Sequence, residues 1–177
     1  MTDDRRKLEQ RLKRAIIAAL DPADRGLALQ PRYRRLHELG CDPTTGFCSI
    51  AAEALWAMLG GRAAGYELVQ VSHEGGPHWF VRFMPTGRVI DPTRAQFSTT
   101  PPYHLGRAQS TGAKHGTGYK HLGRRDLLVS QRAHRLIDLV MERAAMVLLR
   151  KPPRRNPSRG WRDAVLPVLF LLPLIPP

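Results

Sequence analysis

The stretch Cys48-Ser-Ile-Ala-Ala-Glu-Ala-Leu-Trp-Ala-Met-Leu-Gly60 decides how this chain is read, because an apolar segment of helical period opens on a cysteine. Ala51, Ala52, Leu55 and Leu59 line one side of that helix, and Gly60-Gly61 ends it. The residues before it, Cys41-Asp-Pro-Thr-Thr-Gly46, are turn formers throughout. Cys48 is therefore delivered from a loop directly into a helix.

Downstream the period changes from helical to alternating. Tyr66 to Ser72, His78 to Met84 and Arg88 to Ile90 read as strands, separated by Glu74-Gly-Gly-Pro77 and Pro85-Thr-Gly87. The second gap is a hairpin turn that pairs the strand carrying His78 with the strand ending at Asp91. Upstream, Leu8, Leu12, Ala15, Ile16 and Ala19 give an amphipathic helix near residues 3–20. A shorter helix follows Pro31, with Tyr33, Leu36 and Leu39 expected inward and Gly40 as its end. Residues 98–126 follow neither period and are expected to form a long loop. From Ser130, an N-cap, the residues Ala133, Leu136, Ile137, Val140, Met141, Ala144 and Leu148 set the apolar face of another helix, which Pro152-Pro153 stops. Helix, antiparallel strands, then helix again is an α+β order.

Length and charge bound what such a domain does. The 177 residues, 42% hydrophobic, suffice for one core, so residues 1–150 are expected to form a single domain. Lys151 to Gly160 is a basic, breaker-rich linker to the apolar tail 164–177, and that tail is shorter than the ~20 residues a membrane span needs. Pro167 and Pro173 interrupt it, so a packed extension, a partner-binding tail or poorly ordered sequence is expected, and no membrane partner. The net charge is +13, of which +10 lies in residues 98–177. No nucleic-acid-binding motif accompanies this excess, so a solvated basic face is preferred to a nucleic-acid site. Two cysteines build no disulfide framework and Met1 to Arg6 lacks a signal-peptide core, so a reducing cytoplasm is the expected setting.

Cysteine, histidine and aspartate in this order supply what thiol acyl transfer requires. A cysteine at a helix start faces unpaired N–H groups and the positive end of the dipole, an environment expected to favour the thiolate. His78 is placed to take the thiol proton, and Asp91 to hold the imidazole in the useful tautomer. The Cys48 backbone is one donor for an oxyanion and Gln96 a candidate for another; Phe47 and Trp79 flank the nucleophile and the base as substrate-positioning candidates. Taken singly, the same residues also read as a small core cysteine, a buried histidine and a turn-forming aspartate.

Gly46-Phe-Cys48 at a helix start, His78-Trp79-Phe-Val and Gly87-Arg-Val-Ile-Asp91-Pro-Thr93 resemble the core of the transglutaminase-like group within the papain-like cysteine hydrolase superfamily. Glu74-Gly-Gly-Pro-His-Trp79 and Asp91-Pro-Thr-Arg-Ala-Gln-Phe97 are also similar to strings in small phage and prophage proteins. The resemblance covers residues 40–97. It implies a papain-like α+β fold and a Cys48, His78, Asp91 triad, and it implies no substrate; from the thiol chemistry itself a protein, peptide or small amide substrate is expected, with water or an amine as acyl acceptor. Given the phage and prophage strings, the expected cytoplasm is that of a bacterium or a phage-infected host cell. Two departures stand out: Trp79 follows His78 directly where that group has one residue between, and Asp42 stands where papain-like enzymes have a Gln.

No cofactor is expected. Cys41, Cys48, His73, His78, His115 and His121 lack the paired spacing of a zinc site, and no nucleotide-binding fingerprint occurs. The competing reading is a non-catalytic, phage-type binding protein whose basic half contacts nucleic acid or an acidic partner. Lys114, Lys120, Arg124 and Arg125 would bind anions there, with Tyr119 stacking.

Overall fold

A computed structural model describes residues 3–27, 29–109 and 129–150, with side chains to residue 147. Its elements are α1 (Asp3–Ala19), α2 (Pro31–Glu38), α3 (Cys48–Met58), β1 (Tyr66–His73), β2 (Gly76–Phe83), β3 (Arg88–Ile90), β4 (Arg107–Ala108) and α4 (Gln131–Arg150). The chain is α+β. Its compact units are Met1–Met141 and Glu142–Pro177. The first holds the whole sheet, α1, α2, α3 and the opening turns of α4.

The sheet is antiparallel with strand order β3-β2-β1-β4. Register divides its side chains between two faces. Tyr66 and Leu68 of β1 lie opposite Phe83 and Val81 of β2, and with Trp79 they pack against α3, α1 and the start of α4. On the other face Val69, Val71 and Phe80 form a smaller cluster that includes Val89 and Tyr103. Each large side chain buried in the main core contributes about 1.5–3 kcal/mol, so α3 is anchored by Ile50, Leu55 and Trp56 together with the small Ala51, Ala52 and Ala54.

Several inward assignments are corrected. In α1, Glu9 rather than Leu8 is buried, because Tyr66 donates to its carboxylate at 2.7 Å and Arg88 pairs with it. In α2, Leu36 is exposed and Leu39 is 76% exposed; both lie outside the core although their spacing matches an inward stripe. In α4, Ser130 Oγ accepts the Ala133 N–H at 3.2 Å as the N-cap reading requires, yet Met141 and Ala144 are exposed. Among the described side chains of α4, buried positions end at Val140.

The expected loop 98–126 is not uniform. A 3-10 turn, Tyr103–Leu105, leads into β4, which pairs Arg107 with Gln70 and Ala108 with Val69. Gly106 joins them, where a Cβ would stand 2.6 Å from Val69 Cγ1 and 2.8 Å from Phe80 Cζ. Only glycine permits that approach of the segment to the second face. The later part of that expected loop and the tail lie outside the described residues.

Candidate active site

Three elements converge beside the β2 edge. Among the described residues β3 pairs with Val81–Phe83, and Gly76–Phe80 has no strand partner on that side. Cys48, at the start of α3, lies against this bare edge. Its thiol donates to the Pro77 carbonyl at 3.7 Å, and the Trp79, Ser49 and Cys48 backbone N–H groups favour the thiolate. One residue beyond Pro77, His78 turns to the second face beside Phe80, with ring centroids 6.3 Å apart. Asp91 follows Ile90, whose side chain belongs to the main core, and alternation sends its carboxylate to the face His78 occupies.

The His78 Nε2–H donates to Asp91 Oδ2 at 2.6 Å, with His78 0% and Asp91 5% exposed. Because a carboxylate accepts and does not donate, this bond fixes a proton on Nε2, so that in the neutral imidazole Nδ1 is the lone-pair nitrogen. Nδ1 is buried without a hydrogen-bond partner among the described residues. Asp91 is held in turn by the Thr93 N–H on Oδ1 at 2.9 Å and by the Tyr103 hydroxyl on Oδ2 at 2.8 Å. Phe97 meets the imidazole edge-on, with centroids 4.6 Å apart.

One sequence expectation is reversed. Burial pushes the Cys48 thiol up to about 11, and the charge of Asp91 adds to the rise; the backbone N–H groups oppose it without prevailing. At rest the sulfur is therefore a neutral thiol, bonded to Pro77 rather than to the imidazole. A single helix start is a partial positive charge that fades within a turn, and it does not offset desolvation here.

The remaining predicted residues divide. Gln96 accepts the Gly46 N–H on Oε1 at 3.3 Å and donates from Nε2 to the Thr93 carbonyl at 3.0 Å, tying the loop before Cys48 to the segment after Asp91. Phe47 is fully buried in the main core near His37, and Trp79 is buried there too, so both side chains support the site from behind. Gly46 has φ +80°, and a Cβ on it would lie 2.6 Å from Tyr33 Cγ, so the turn that presents Cys48 requires glycine. Lys114, Lys120, Arg124 and Arg125 lie outside the described residues, as do His115 and His121.

Sequence reading missed Tyr103, Thr93 and Phe97 as parts of the site. Thr93 and Phe97 stood inside the quoted Asp-Pro-Thr-Arg-Ala-Gln-Phe string. Tyr103 carried no signal of its own, since its place depends on the turn that Gly106 permits. Among the described residues, no three of His, Cys, Asp and Glu gather in a group able to hold a metal ion, and no helix is long and apolar enough to cross a membrane. Comparison with protein-family models, curated proteins and solved structures returned no match.

Proposed function

We propose that this protein is a thiol-dependent acyl-transfer enzyme with a papain-like, transglutaminase-like core, in which Cys48 is the nucleophile, His78 the base and Asp91 its orienter. The observation that carries the reading is the buried His78–Asp91 pair, whose second ring nitrogen is unpartnered among the described residues and lies one residue from the carbonyl that holds the Cys48 thiol. A buried polar atom without a partner is costly, and a base awaiting a proton accounts for that cost.

In this scheme an amide or ester carbonyl approaches Cys48 and the thiol leaves Pro77. His78 Nδ1 takes the proton as sulfur attacks the carbonyl carbon, so the imidazolium forms only while Asp91 and the developing oxyanion are present to balance it. Backbone N–H groups at the start of α3 receive the oxyanion. Nδ1 then protonates the leaving amine or alcohol, and an acyl-enzyme remains. Water resolves it in a hydrolase and an amine in a transferase, with Nδ1 as base again.

The test is a pH series of iodoacetamide alkylation on the native protein, with mass spectrometry separating Cys48 from Cys41. Labelling of Cys48 near neutral pH that is lost in His78→Ala, with the fold intact by circular dichroism, is the expected result. Labelling indifferent to His78 and rising only above about pH 9, as for an unassisted thiol, would reject the proposal.

A further inference from the structure

A groove of about 530 Å³ opens between β4 and the β1–β2 turn, lined by residues that include Gln70, Ser72, Gly76, Pro77, Arg107 and Gln109. Pro77 belongs both to this groove and, through its carbonyl, to the contact with the Cys48 thiol at 3.7 Å. Register places Arg107 beside Gln70 and Ser72 opposite Pro77, so all four side chains lie on one face of the sheet. The groove is thus walled by a guanidinium, two carboxamides and a hydroxyl, and it reaches the residue on which the sulfur rests.

Its charge is not neutralised from within. Arg107 has no carboxylate partner among the described residues. Glu67, on the neighbouring strand, is paired with Arg82, and Glu74, at the turn, accepts from Ser98 Oγ at 2.9 Å and from Thr99. Glu74 is held below the usual carboxylate range, first by Ser98 and then by Thr99, and stays committed to that contact. We infer that this groove seats the part of the substrate adjoining the reacting carbonyl, and that this part is a peptide carrying a carboxylate, which Arg107 receives while Gln70 and Gln109 meet the peptide's polar groups. The inference rests on the Cys48 reading and names its substrate class.

Ser72 supplies a blocking position. It is exposed, lines the groove and lies opposite Pro77 on the face that carries Gln70 and Arg107, so a bulky side chain there enters the groove. The probes are two peptidyl acyloxymethyl ketones differing only in Glu or Lys beside the reactive residue. The Cys48 thiolate forms a carbon–sulfur bond as the carbon–oxygen bond breaks and a carboxylate leaves. In the full chain the Glu probe should label Cys48 about three- to fivefold faster than the Lys probe, the worth of one partly exposed ion pair. Arg107→Glu should invert that order. Ser72→Trp should slow both probes while iodoacetamide labelling persists. Equal rates for Glu and Lys, or an order unmoved by Arg107→Glu, would overturn the groove assignment provided that iodoacetamide labelling still depends on His78. Loss of that His78 dependence overturns both readings.

Discussion

The Tyr103 hydroxyl donates to Asp91 Oδ2 at 2.8 Å, the same oxygen that takes the His78 Nε2–H at 2.6 Å. One carboxylate oxygen thereby joins the 3-10 turn before β4 to the strand that carries the imidazole. Burial first, and then the charge and hydrogen bond of Asp91, hold the Tyr103 hydroxyl well above its ordinary range, so it remains a donor at every physiological pH. Tyr103→Phe keeps the ring against Phe80, now 4.9 Å between centroids, and removes only the hydroxyl. The expected loss is about 1–2 kcal/mol, the worth of a hydrogen bond to a charged acceptor, read as a melting point lower by about 2–6 °C. An unchanged melting point would show that the hydroxyl does not brace Asp91.

Asp91→Asn tests the tautomer argument. The carboxamide retains the shape and still offers an oxygen to Thr93, but the atom facing His78 becomes a donor. The imidazole then carries its proton on Nδ1 and turns its lone pair toward the amide. Labelling of Cys48 at neutral pH is expected to fall at least about a hundredfold, as for a base held in the wrong tautomer, with a much smaller change in stability. Rates within about twofold of the parent protein would remove Asp91 from the site.

Glu9, Arg88 and Tyr66 form a separate buried cluster, with Glu9 fully enclosed and Arg88 Nη2 2.6 Å from its Oε1. Arg88→Met leaves that carboxylate unpaired and should cost about 3–5 kcal/mol in urea denaturation. Glu9→Leu combined with Arg88→Met removes both charges and should recover most of the loss. A double variant as unstable as Arg88→Met alone would mean that the aliphatic stem of Arg88, not its charge, matters.

How much of the fold and site was legible in the sequence depends on which interactions are local. The Cys48 helix, the β2–β3 hairpin and the Ser130 cap were readable because each is set by a period or a turn within a few residues. His78 and Asp91 were readable as a pair because the hairpin joining them is short. Glu9 was not, since a charged residue one position from an inward leucine turns inward only when Tyr66 and Arg88 arrive from more than fifty residues away. Leu39 was misplaced for the converse reason, because an apolar stripe states a preference and the rest of the fold decides whether a surface meets it. Tyr103 was hidden in a segment without period. The charge state of Cys48 depended on desolvation, and no one-dimensional pattern contains that contribution.

Two groups make stability fall in alkali. Burial raises Cys48 from an ordinary value near 9 to about 11, and burial followed by the Glu9 contact raises Tyr66 from near 10 to about 12. In each case the unfolded chain loses its proton first, so it binds fewer protons than the native state and stability declines as pH rises. The decline should begin near pH 9, where unfolded Cys48 ionises, and steepen above pH 10 as unfolded Tyr66 follows. Well below pH 9 neither group contributes a slope. Urea midpoints measured from about pH 8 to about pH 11 should show this descent, and Cys48→Ala should remove its first part. A flat midpoint across that range would contradict the burial of both groups.

The loop before Cys48 is held from two sides, and the two holds are separable. Gln96 accepts the Gly46 N–H and reaches the Thr93 carbonyl, while Tyr33 closes over Gly46 so tightly that any Cβ there collides. Gln96→Ala removes the tie to Asp91-Pro-Thr93 but leaves the turn its glycine. It should lower stability by about 1 kcal/mol and slow Cys48 labelling more than that loss alone explains, because the sulfur is released from its fixed position beside Pro77. Gly46→Ala adds a left-handed backbone conformation that alanine resists and a 2.6 Å contact with the Tyr33 ring. It should destabilise the protein by about 2–3 kcal/mol and bring the same loss of reactivity. The informative comparison is reactivity at equal stability, obtained by measuring Gln96→Ala beside a core variant such as Ile50→Val. If the two label Cys48 equally fast, the loop does not position the sulfur, and Gln96 serves only to close the turn.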